Sequence, residues 1–111
     1  MVIGVYSFEI HLPASRSLKD KRQVLRRVKD RLRAHHNVAL LELSEHGALW
    51  QRAGLVVVSI AGNRDVLVRL FEAVQREVEG HVPGHVMETG TEFIDAADSG
   101  RSDWLPGDAE E

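Results

Sequence analysis

The feature that most constrains this chain is a hydrophobic period that switches from two to about 3.6 and back, twice. Residues 2 to 12 alternate, with Val2, Tyr6, Phe8, Ile10 and Leu12 on one parity and Ile3, Val5, Ser7, Glu9 and His11 on the other. That is the pattern of a strand with one strongly apolar face. Pro13 ends it, and Ser17 followed three residues later by Asp20 makes an approximate capping box. Leu18, Leu25, Val28 and Leu32, with Val24 at the margin, then recur at helical spacing to about His35. Asn37 to Leu43 reads as a second strand, Ser44 to Ala48 as a polar turn around Gly47, and Leu49 to Ala61 as a long third strand. Leu55 to Ile60 is almost continuously apolar, which suits a central position in a sheet. Gly62 and Asn63 precede a second amphipathic stretch with Val66, Leu67, Leu70, Phe71, Val74 and Val78 on one face, ended by Gly80 and Pro83. His85 to Ile94 supplies a last strand.

The order β, α, β, β, α, β predicts an α+β domain in which each helix is a right-handed crossover. The expected result is a ferredoxin-like sandwich: a four-stranded antiparallel sheet in the order 4-1-3-2 with both helices on one face. Residues 1–94 form this domain, and residues 95–111, acidic and poor in apolar side chains apart from Trp104 and Leu105, are expected to be a flexible tail. A chain of 111 residues has room for one core. The absence of cysteine excludes disulfides, thiolate metal sites and cysteine nucleophiles together. Met1 to Leu12 carries Glu9 and His11 and no basic leader, and no apolar run approaches the ~18 residues that span a bilayer, so the expected location is the cytoplasm, away from membranes.

Charge is unevenly placed. Arg16 to His36 holds nine of the fourteen basic residues against Asp20 and Asp30, whereas Glu88 to Glu111 holds eight acidic residues against Arg101. On a helical wheel Lys19, Arg22, Arg26, Lys29 and Arg33 fall in one narrow sector, a basic line roughly 21 Å long. Such rows make phosphate contacts, and the free N–H groups at a helix start add to anion attraction. The bland alternative is a solvated helix face, and the net charge of -3 speaks for it. Lys21 points towards the apolar stripe, so it needs a buried stem and either a surface head or a carboxylate such as Glu9. At the same edge of the predicted fold lie Trp50, Gln51 and Arg52; Trp50 and Gln51 suit a partner contact, Trp50 alternatively a plain edge cover, and Arg52 a phosphate or a local ion pair.

Two stretches, Ser17-Leu18-Lys19-Asp20-Lys21-Arg22 and Leu49-Trp50-Gln51-Arg52-Ala53, resemble the S-L-K-x-K-R and L-W-Q-R-A motifs of the YlxP-like family of small bacterial proteins, a domain of unknown function. The likeness runs from about Met1 to Glu79, including Asp30-Arg31-Leu32 and Asn37-Val38. It implies a ferredoxin-like fold and, through the family's frequent gene neighbourhood, a link to translation or ribosome maturation; it implies no activity. The Ser44 to Ala48 hairpin and the acidic tail differ from the family's usual pattern.

The parity of the strands sets a second expectation. Tyr6 and Phe8 should lie under the helices, leaving Ile3, Val5, Ser7, Gln51, Ala53, Leu55 and Val57 on the open face, too apolar to stay wet. That favours a homo-oligomer through the open sheet face and opposes a base-stacking RNA platform there. His11, His46, His81 and His85 map to the motif-bearing edge without the spacing of a metal site, and His35 and His36 should only end the first helix, so no metal or other cofactor is expected. No nucleophile elbow, P-loop or dinucleotide fingerprint occurs, and no catalytic residue is assigned. The function expected from these residues is a non-enzymatic accessory binding protein that contacts RNA or the ribosome through Lys19, Lys21, Arg22, Arg26, Lys29, Arg33 and Arg52. Its alternative is a homodimeric protein-interaction module with no nucleic-acid role.

Overall fold

The computed structural model describes residues 1–44, 49–82 and 85–95. The hairpin around Gly47, Pro83 and the segment 96–111, with the expectations made for them, lie outside the described residues. The elements run β1 (Val2–His11), α1 (Leu18–His35), β2 (Ala39–Leu43), β3 (Arg52–Ala61), α2 (Arg64–His81) and β4 (His85–Asp95). The sheet order is β2-β3-β1-β4, every neighbouring pair antiparallel, as the pattern predicts for a ferredoxin-like α+β sandwich.

The local signals account for the element starts. Ser17 is the N-cap of α1: its Oγ accepts from the Asp20 N–H at 3.1 Å, while the Asp20 carboxylate accepts from the Arg16 N–H at 3.0 Å. Asn63 caps α2 in the same way, its side-chain oxygen accepting from the Val66 N–H. Gly80 does not end α2; the helix continues to His81, and the Val82 N–H closes it on the Val78 carbonyl. Val66, expected on the apolar face, is exposed in the first turn, and the buried stripe is Leu67, Phe71, Val74 and Val78.

One layer of core lies between sheet and helices. Val2, Tyr6, Phe8 and Ile10 of β1 are buried under the helices, as their parity requires. Tyr6 stacks on Phe8 at 5.1 Å between ring centroids and on Phe71 at 5.3 Å. Gly4 shares this face because α2 crosses it closely: a Cβ there would stand 2.9 Å from two ring carbons of Phe71.

The assignment of faces on β3 needs correcting. Each rung of the β1–β3 ladder joins residues of opposite parity, so the even, core-facing residues of β1 stand against odd residues of β3, as in Tyr6↔Val57, Phe8↔Leu55 and Ile10↔Ala53. Directly opposed residues of an antiparallel pair point to the same face, so Ala53, Leu55 and Val57 belong to the core beneath the helices and are buried. The open face of β3 is instead Val56, Val58 and Ile60, opposite Ser7, Val5 and Ile3. The face remains apolar, built from other side chains. No helix among the described residues is long and apolar enough to cross a membrane.

Candidate nucleic-acid interface

α1 carries its cations where the wheel places them. Lys19, Arg22, Arg26 and Arg33 are exposed, and Lys29 is half-buried, donating to Glu42 Oε1 of β2 at 3.2 Å. Arg22, Arg26, Lys29 and Arg33 line a groove between α1 and the β2 edge, with Leu25 at its floor and Asp30 and Glu42 beside them. Four cations against two carboxylates leave the groove positive, and β2 is an edge strand, so this side of the sandwich is open to a long anion.

Lys21 departs from its expected role. Its residue surface is 3% exposed, and its ammonium donates to the Leu49 carbonyl at 2.7 Å. Burial lowers its pKa, a shift that the negative charge of Glu42 partly opposes. The four-carbon stem runs within the apolar stripe as expected, but the head turns inward to a backbone oxygen and away from a surface phosphate. Lys21 is therefore a brace between α1 and the start of β3.

Gln51 acts on the same junction. Its side-chain amide donates to the carbonyls of Pro13 and Ser15, each at 3.3 Å, and its own carbonyl accepts from the Leu12 N–H at 2.8 Å. The two motif stretches are thus one hydrogen-bonded unit: the first supplies Lys21, and the second supplies the carbonyl that receives it and the amide that fixes the loop between β1 and α1. Arg52 pairs with Glu9 at 3.1 Å across the β1–β3 ladder on the open face. Trp50 is 50% exposed and borders a shallow depression with His11, Leu49, Gln51 and Arg52. The Lys21–Leu49 bond places this indole at the same end of the domain as the N-terminus of α1.

A second cluster was not anticipated from the sequence. The Glu77 carboxylate on α2 accepts from His35 Nδ1 at 2.6 Å and from His36 Nε2 at 2.7 Å, and lies 3.4 Å from Arg31 Nε. Burial works to raise its pKa, but the hydrogen bonds and charges of the two histidines outweigh that and hold the carboxyl below its ordinary value. His35 and His36 therefore tie α1 to α2 as well as ending the first helix. The only hint in the sequence is that Glu77 stands beside the buried stripe of α2, between Val74 and Val78. His11 and His85 are opposed across β1 and β4, and His46 lies outside the described residues. Among the described residues no group of three His, Asp or Glu side chains is arranged to hold a metal ion.

No curated protein matches the chain. A family model described as "Protein of unknown function (DUF503)" matches residues 3–91, from the first strand through both helices and most of β4, and the chain belongs to that family.

Proposed function

We propose that the protein is a non-enzymatic RNA-binding accessory of the ribosome or of its maturation. The observation that carries the reading is the row Lys19, Arg22, Arg26 and Arg33, exposed along one face of α1 at about one cation per helical turn and continuous with the groove at the β2 edge. Trp50 at the same end supplies an exposed ring on which an unpaired base can stack. The likeness of Ser17–Arg22 and Leu49–Ala53 to the YlxP-like motifs supports the ribosomal direction of the reading. Lys21 and Gln51 act as internal braces in it, and Arg52 stays with Glu9.

The test is a filter-binding titration of ribosomal RNA at several salt concentrations. Each phosphate neutralised contributes about -0.7 to -0.9 to the slope of log affinity against log salt, so four cations give about -3. Arg26→Gln should weaken binding and make the slope shallower by nearly one unit. Absence of binding at low salt, or a slope that Arg26→Gln leaves unchanged, overturns the proposal.

A further inference from the structure

The surface of the sheet that faces away from the helices is the largest feature that the nucleic-acid reading leaves unused. Four of its side chains are large, apolar and heavily exposed: Leu41 of β2 at 63%, Met87 of β4 at 57%, Ile60 of β3 at 52% and Ile94 of β4 at 44%. Between them the central rungs Ile3↔Ile60, Val5↔Val58 and Ser7↔Val56 carry no charge. The charges of the face stand at its margins, Glu9 paired with Arg52 at one end of the central strands and Glu92 on the edge strand β4. A contiguous apolar surface of this extent in contact with water is unfavourable for a monomer.

We infer that this face is closed by the same face of a second copy of the chain. Three features select that occupant. The first is area: three strands of about ten residues and one of five, at about 3.3 Å per residue and about 4.8 Å between strands, project about 550 Å². Two copies therefore bury about 1,100 Å² before side-chain relief is added, which clears the about 1,000 Å² expected of a specific interface. The second is self-complementarity: a two-fold axis brings the centre of a patch against itself, and a neutral, β-branched centre with charges at the margin tolerates that, whereas a charged centre does not. The third is the poor match of residues 96–111 to this face. Residues 96–111 contain two large apolar side chains, Trp104 and Leu105, against five acidic ones. Two side chains do not cover four strands. Because the helices lie on the other face of each sheet, the pairing leaves the basic row of α1 accessible in both copies, and it stands or falls independently of RNA binding.

The experiment is size-exclusion chromatography with light scattering on the full chain at about 10 μM, without RNA. The expected mass is twice 12.4 kDa. Ile60→Lys and, separately, Leu41→Lys place an unpaired ammonium in the interface and should raise the dimer Kd by about tenfold or more while leaving the far-ultraviolet circular dichroism unchanged. Two sites are used because Leu41 is on an edge strand, where a lysine is well tolerated by the fold. A combined Trp104→Ser and Leu105→Ser variant should remain a dimer. A monomeric wild type overturns the inference, as do dimers that both lysine variants leave intact. A wild-type monomer that dimerises only when Trp104 and Leu105 are replaced assigns the face to the chain's own terminus and also overturns it.

Discussion

Tyr6 gives a direct optical test of the core, because it is the chain's single tyrosine. Its ring is held between Phe8 and Phe71, its residue surface is 2% exposed, and its hydroxyl donates to Gln75 Oε1 at a long 3.4 Å. Burial first, then the negative charges of Glu88 and Glu79, push its pKa from 10.0 up to about 12. The folded state thus keeps a proton that the unfolded chain has already lost. Stability linked to Tyr6 is complete below pH 10 and is lost as the pH rises from 10 to about 12, at about 1.4 kcal/mol per pH unit. The loss sums to about 3 kcal/mol, a large part of the about 5–15 kcal/mol that stabilises a domain. The assay follows tyrosinate absorbance and far-ultraviolet circular dichroism together through an alkaline titration, and repeats urea unfolding at each pH for Tyr6→Phe. Tyrosinate should appear near pH 12 or together with unfolding, and Tyr6→Phe should lose less stability above pH 10 than the wild type. An ordinary midpoint near 10 in protein that is still folded refutes the reasoning, as does an identical alkaline loss in both proteins.

Gly4→Ala should destabilise the fold although alanine suits a strand better: the new Cβ stands 2.9 Å from Phe71 and 3.0 Å from Leu67, and the Phe71 ring is confined by Tyr6 and Phe93. Overpacking costs about 1–3 kcal/mol against about 0.5–1 kcal/mol gained from replacing glycine, so thermal denaturation should show a Tm lower by several degrees. Glu77→Gln removes the charge that His35, His36 and Arg31 share, and should cost about 1–3 kcal/mol at pH 6 in urea unfolding. Since the Glu77 pKa is depressed in the folded state, its contribution is present above the ordinary value of 4.5 and is lost as the pH falls through the lower folded value; the gap between variant and wild type should close in that acid range.

The local parts of the fold and the order of its strands were legible in the sequence, whereas the facing of β3 and the side-chain contacts between distant segments were not. Ser17 and Asp20 announce the start of α1 because a cap uses neighbours three residues apart. The alternation of β1 gives its faces directly, with Tyr6 and Phe8 beneath the helices. The run Leu55 to Ile60 has no alternation to read, and its faces are decided by the rung that sets Tyr6 against Val57, which a single strand does not contain. At the candidate site the exposed row of α1 follows from helical periodicity alone. The inward turn of Lys21 does not, because its acceptor is a backbone carbonyl 28 residues away, and every residue type has that group. The Glu77 cluster spans 41 and 42 residues and was hidden for the same reason: His35 and His36 are equally suitable as plain helix-ending residues until α2 is packed beside them.

The bonds at the two ends of α1 have a consequence for what passes between them. Near its first turn the helix is fastened to the start of β3 through Lys21, and at its last turn to α2 through His35, His36 and Glu77. A helix fastened at one end sweeps its side chains through an arc, and a polyanion that docks on it must stop that motion. With both ends tied, the backbone beneath Lys19, Arg22, Arg26 and Arg33 has been fixed already during folding. Only side-chain rotamers are left to order on docking, at about 0.5–1.5 kcal/mol each. Cutting either tie should therefore weaken capture of a polyanion without removing a single cation from the row, by handing back to the bound state an entropy cost that the folded chain has already met.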